Sequence, residues 1–321
     1  MQIFVHRKRK QRLTKRSTEQ PPRVPVTEAR GSSVAGFAAS ARCRAAAGDF
    51  DRSHRMKASG NTAVLDLADV ASWLAVAASV VNSTVPRQLS ERLRIWDPDE
   101  MFEDTLSYLI DAGAEAGHLR DLTAWEDAFE TGFRAKYQSI RAFHACRSTS
   151  TDGYRRHGIR SLSPELAEQL AIDAFSDQAS REQILEALAS KPISGHERWV
   201  YCFTDIVNAK HSSQNHYVQC GSEYLQALAI CLGLHCRGIL ASRGQGYLIE
   251  VHAPIPNVVG MFRRELWRLM ITEHFKLMAG GKQRKGAPDF CIAVQNGIPF
   301  ECIRRFIPVA DDDLDYRLPR H

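Results

Sequence analysis

Ala142-Phe143-His144-Ala145-Cys146-Arg147 marks the point where the chain changes character. Before it the apolar residues recur at helical spacing. From Ser139 onward short apolar runs alternate with helical stretches of irregular length. The run reads as a strand from Ser139 to Cys146. Side chains alternate along a strand, so His144 and Cys146 share one face while Phe143 and Arg147 share the other. If Phe143 faces a core, His144 faces a cleft, and a titratable group is costly to bury without a partner.

Upstream, Leu65, Ala68, Val70, Trp73, Leu74 and Ala77 are spaced for one helical face. Glu100, Phe102, Leu106, Leu109 and Ile110 predict a second helix, ending near Gly113 or Gly117. Leu122 to Tyr137 predicts a third, with Trp125, Phe129 and Phe133 every fourth residue, a core pattern. Residues 58–138 thus read as a helical region.

Downstream, Asp152 to His157 is a turn or two of helix ended by Gly158. Ser163-Pro164 starts a helix to about Phe175, with a cap residue and then proline at the first position. Ser180 with Gln183 forms a capping-box pattern for a helix to Leu188. Arg198 to Thr204 predicts a strand, Ser222 to Leu234 a helix capped by Ser222, and Gly246 to His252 a strand. Phe262 to Met278 predicts a long amphipathic helix, and 290–294 and 301–309 two more strands. There is no regular βα repeat. The order predicts α+β, with a small split or mixed sheet, rather than a doubly wound parallel sheet.

Composition narrows the function classes. The chain has 321 residues, 44% hydrophobic and 25% charged, with a formal net charge of +5. Residues 1–57 hold 14 Lys+Arg against 4 Asp+Glu, so the remainder is net −5. The basic excess belongs to the N-terminal tail, and the body gives no sign of a large nucleic-acid footprint. That tail, with Arg7-Lys8-Arg9-Lys10 and Pro21-Pro22, predicts disorder. It reads as a basic arm, a solvated tail, or sequence ahead of a true start at Met56. The eight cysteines are scattered without a CxxC pair, which suits reduced thiols and a cytoplasmic location. No signal peptide is legible. The apolar run from Val70 to Val81 falls short of the roughly 20 residues of a membrane span.

The richest local chemistry is His216-Tyr217-Val218-Gln219-Cys220-Gly221-Ser222-Glu223-Tyr224, read as a strand-to-helix junction. Glu223 falls in a first helical turn, where the helix dipole favours a carboxylate. Capping accounts for Gly221-Ser222-Glu223 but not for His216, Tyr217 and Tyr224. A His, a Tyr and a Glu in one cleft can hold a ribose beneath a flat heterocycle, and the Glu can steady oxocarbenium charge. Cys231, His235, Cys236, Cys220 and His211 or His216 lack a standard zinc spacing, so no metal is expected. Cys220 with His216 is a weaker candidate nucleophile pair. There is no dinucleotide-binding glycine motif, P-loop or HExxH.

His144, the glycine turn Tyr154-Arg155-Arg156-His157-Gly158-Ile159, the strand Trp199-Val200-Tyr201-Cys202-Phe203-Thr204-Asp205 with Ala209, and Pro299-Phe300-Glu301-Cys302-Ile303 together carry a resemblance. Residues 139–309 resemble the ADP-ribosyltransferase superfamily in its histidine-tyrosine-glutamate branch. The resemblance implies NAD as substrate and a catalytic domain over 139–321. His144 and Ser222 would orient ribose, Tyr217 would stack on nicotinamide and Glu223 would stabilise the transition state. Arg147 would contact the diphosphate, with Tyr154, Tyr201 and Tyr224 also lining the site. Glu301 is the competing glutamate, being better placed in chain order. Tyr201 and Tyr224 compete with Tyr217 for the stacking role. The implied activity is ADP-ribose transfer to a protein or nucleic acid acceptor, toxin- or defence-like, with an antitoxin or partner protein. An NAD glycohydrolase would use the same site, and a non-catalytic interaction protein is the rival from another class.

Overall fold

The computed structural model describes residues 63–84, 122–210, 215–278, 280–282 and 286–314. The expected helix around Glu100–Ile110 and the basic tail lie outside the described residues. Lys57–His321 group as one unit by their contacts. The architecture is mixed α/β around an open, largely antiparallel sheet of six strands.

The chain begins with β1 (Val64–Leu65), α1 (Val70–Thr84) and α2 (Leu122–Lys136). Then come β2 (Ser139–Ser148), α3 (Asp152–His157), α4 (Pro164–Phe175), α5 (Arg181–Ser190) and β3 (Val200–Phe203). Short helices follow: α6 (Ile206–Lys210), α7 (His216–Cys220), α8 (Glu223–Cys231) and α9 (Cys236–Ala241). The chain continues with β4 (Gln245–Pro254), α10 (Gly260–Met278), β5 (Cys291–Val294) and β6 (Ile303–Val309). The sheet order is β5-β3-β2-β4-β6, and β1 adds to β2 in parallel.

Local sequence explains many of these boundaries. Ser163 accepts a hydrogen bond from the Leu166 N–H, and Pro164 occupies the first helical position of α4. Ser180 and Gln183 form the reciprocal capping box of α5. In α10, Phe262, Leu266 and Met270 fall on one buried row at a spacing of four, and Trp267, Ile271 and Phe275 on a second. Leu65 departs from the expectation. It lies on β1 beside Ile140, not on the helical face with Trp73. Two residues carry no periodicity, so only their pairing with β2 defines that strand.

The N-terminal helices share their core with the sheet. Trp73, Phe129 and Phe133 pack with Ile140, Val251, Leu266 and Trp267. Phe133 stacks on Trp267 with centroids 4.7 Å apart. This layer covers the β2 face that carries Ile140, Ala142 and Cys146. The opposite face meets α7 through Ala145, Phe203, Leu248 and Val218.

Toward the β1 end, that second face is charged. The register between β4 and β6 shifts at Glu250/Val251, and Arg304 and Arg305 both reach back to β4. Glu250 pairs with Arg141 at 2.7 Å and with Arg305, and Arg141 also reaches Asp66 at 2.8 Å. Arg304 Nε donates to His252 Nδ1 at 3.0 Å, which requires a neutral imidazole. Burial alone would raise the Glu250 carboxyl, but the bonds from Arg141 and Arg305 outweigh it and hold it below the ordinary 4.5. A depressed carboxylate stabilises the fold fully above that ordinary value and loses the contribution as pH falls through its folded value. The urea midpoint should therefore drop between about pH 5 and about pH 3. Glu250→Gln should cost about 1–3 kcal/mol at neutral pH and flatten part of that drop, measured by urea titration across the range.

Candidate active site

His144 stands where β2 and β3 meet. The two strands are in register at Phe143 and Phe203 alone among the described residues. His144 Nδ1 lies 3.0 Å from the Tyr201 carbonyl oxygen. A carbonyl only accepts, so Nδ1 carries the proton and Nε2 is left as an acceptor. Burial pushes the imidazole toward its neutral form, against the carbonyl bond.

The HYVQCGSEY stretch is built differently from the expected strand-to-helix junction. His216–Cys220 is a short helix, α7, and Gly221 turns the chain into α8. At φ 73 and ψ −141, Gly221 holds a conformation that is essentially glycine's alone. Ser222 occupies the cap position of α8, but its side chain makes no capping bond. The turn sets Glu223 against α7. Its Oε1 lies 3.1 Å from His216 Nε2, and the Tyr217 hydroxyl also bonds it. Burial would raise the Glu223 carboxyl, but these two bonds outweigh it and hold it below the usual carboxylate range. Burial, reinforced by the charge of Glu223, pushes the Tyr217 phenol well upward, so it stays protonated and donates.

The three candidate stacking tyrosines are now distinct. The Tyr217 ring is covered by His216 at 4.1 Å between centroids and meets Phe203 at 5.9 Å. Tyr224 is buried, donates to the Lys191 carbonyl at 2.9 Å and lies under the Lys191 ammonium. Tyr201 is only partly buried, with Phe262 and Trp199 at 6.1 and 6.5 Å. Its phenol is raised by burial first, then by Cys291 and by the charges of Glu223 and Glu197. Tyr201 therefore accepts the His144 bond on its carbonyl and lies within electrostatic range of Glu223.

Tyr154 bonds the Cys146 thiol, one alternation along β2 from His144, and packs beside Phe306. It thus borders His144 on the same strand face. Arg147 finds its donors engaged by its own chain: Nε on the Arg243 carbonyl at 3.0 Å, and a terminal nitrogen on the Gly244 carbonyl at 3.1 Å. The other terminal nitrogen approaches the Val218 carbonyl and Asp311 at 3.5 Å. It ties β2 to α7 and to the turn before β4. Glu301 is exposed on the turn Phe300–Cys302 before β6, outside the His216–Glu223 group. Cys220 is buried in a core with Leu228 and Ala171.

Two groups within electrostatic range of Glu223 had no signal in the sequence. Cys291, pushed up to about 12 chiefly by burial, stays a thiol within reach of the Glu223 charge. It reads in sequence as one more apolar strand residue. Glu197 sits in an unremarkable turn. Among the described residues, no three His, Cys, Asp or Glu side chains come together as metal ligands. No helix among them is long and apolar enough to cross a membrane. Models of known families, curated proteins and solved structures gave no match to this chain.

Proposed function

We propose that this chain cleaves the bond between nicotinamide and ribose in NAD and passes ADP-ribose to a macromolecular acceptor. The observation that carries the reading is the Glu223 carboxylate, held ionised by His216 and Tyr217, with Tyr201 within range of its charge.

The chemistry follows from these states. Breaking the glycosidic bond sends its electron pair to the nicotinamide nitrogen, and nicotinamide leaves neutral. The ribosyl group becomes cationic, and a fixed carboxylate is the group that stabilises such charge as it develops. His216 and Tyr217 orient Glu223 before reaction, which is where preorganisation acts. His144 Nε2 accepts a hydrogen bond from a ribose hydroxyl. Tyr201, with its ring partly open, flanks the nicotinamide in place of Tyr217. A lone pair of the acceptor then takes the ribosyl carbon and its proton goes to solvent. Water in that role makes the protein an NAD glycohydrolase.

The test is direct. Purified protein incubated with NAD should release nicotinamide, measured by chromatography, and candidate protein or nucleic acid acceptors should gain the mass of ADP-ribose. Release without a mass gain assigns hydrolysis. Neither release nor an NAD-dependent thermal shift would sink the enzymatic reading in favour of an interaction protein.

A further inference from the structure

The turn between α5 and β3 carries charges that the reaction above does not use. Lys191, at the end of α5, places its ammonium 2.7 Å from Glu197 Oε1. The same ammonium lies 5.4 Å above the Tyr224 ring centroid. Its carbonyl accepts the Tyr224 hydroxyl at 2.9 Å. Glu197 Oε2 accepts the Ser194 N–H at 2.6 Å. Tyr224 directly follows Glu223, so this turn is fastened to the start of α8.

Glu197 lies within electrostatic range of both Glu223 and Tyr201. A second carboxylate is thus held within electrostatic range of the first, and a like charge nearby disfavours ionisation. The titratable groups that act on Glu223 are His216 and Tyr217 from α7, which bond it, and Tyr201 from β3, Cys291 from β5 and Glu197 from the turn, which lie within electrostatic range. The phenols and the thiol are uncharged, so Glu197 supplies the like charge. We propose that Lys191 is a positioning residue of this site. Its ammonium neutralises Glu197, and its peptide, gripped by Tyr224, fixes the first turn of α8 so that Glu223 keeps its charge and direction. The proposal rests on the NAD reading only for what Glu223 does once charged.

Removing the ammonium leaves Glu197 in place, because the Ser194 N–H still holds it. The experiment is a carbon-13 NMR titration of the glutamate carboxyls without NAD, the Glu223 signal being assigned by its loss in Glu223→Gln. Thermal midpoints are recorded for each variant. Lys191→Met should move the Glu223 titration upward, and Lys191→Arg should leave it near wild type. Adding Glu197→Gln to Lys191→Met should return it. Glu197→Gln alone should move it downward, which keeps the test available if Lys191→Met does not fold. A lowered thermal midpoint with an unmoved Glu223 titration would show Lys191 to be merely structural and overturn the proposal. So would an upward shift that persists after Glu197→Gln. A wild type inert toward NAD would sink the catalytic reading while leaving the titration result to stand.

Discussion

Glu223→Gln is expected to slow nicotinamide release from NAD by about 100-fold or more, the range seen when one fixed electrostatic stabiliser is lost. The substitution keeps the shape of the side chain and removes its charge. An amide still meets His216 and Tyr217, so the thermal midpoint should move little. That separates loss of chemistry from loss of fold. Glu301→Gln, on an exposed turn, should stay within about threefold of wild type, as surface changes away from a site usually do. The measurement is an initial rate of nicotinamide release at saturating NAD. Full activity in Glu223→Gln together with loss in Glu301→Gln would transfer the role to the turn before β6 and dissolve the site as described. Tyr217→Phe removes one bond to Glu223 and leaves the ring in place. It should give a smaller defect than Glu223→Gln, because His216 still holds the carboxylate.

Gly158→Ala is expected to cost the fold about 3 kcal/mol or more, the sum of a glycine-only backbone region and a hard contact. Gly158 sits at φ 70 and ψ −162, at the end of α3. A Cβ there would meet the Ile298 carbonyl oxygen at 2.2 Å and the Phe300 nitrogen at 2.8 Å. Both are backbone atoms, and neither can swing aside as a side-chain tip does. The Ile159 and Ile298 main chains are moreover bonded to each other in both directions at 2.8 Å. For a unit of this size the loss corresponds to a drop in thermal midpoint of roughly 6–12 °C. Gly153→Ala, inside α3 with nothing within 4 Å of the new methyl, supplies the control. It should be neutral or stabilising by up to about 1 kcal/mol, because alanine favours the helix. Equal midpoints for the two variants would contradict the backbone geometry at Gly158.

Legibility in the sequence followed the range of the forces involved. The starts of α4 and α5 are set by neighbours within three residues, Ser163 with Leu166 and Ser180 with Gln183, and both are readable as written. The buried stripe of α10 is periodic over many turns and equally plain. α7 is five residues long, too short for a periodic signal, so His216–Cys220 reads as a strand end until Gly221 is seen to turn it. β1 exists because Val64 and Leu65 find Ser139 and Ile140, a pairing far apart in the chain. The site divides the same way. His216, Tyr217 and Glu223 lie within nine residues and announce one another. Glu197 and Cys291 act on Glu223 electrostatically from other elements, and nothing in their own neighbourhoods points there. The identity of the open aromatic ring also depends on packing. Tyr217 loses a face to His216, and Tyr224 is fastened to Lys191.

The single register pair between β2 and β3 has a mechanical consequence. Along β2 and β4 the main chains are zipped over ten positions, and β3 and β5 over four. Between those two leaves the described ladder has one paired position, Phe143 with Phe203, seconded by the His144 bond to Tyr201. Each main-chain bond contributes only about 1 kcal/mol net, so this seam is the line along which the sheet parts most cheaply. A flat molecule wedging in there would trade little pairing for its own contacts. The histidine that fastens the seam is the one proposed above to take a ribose hydroxyl on its second nitrogen.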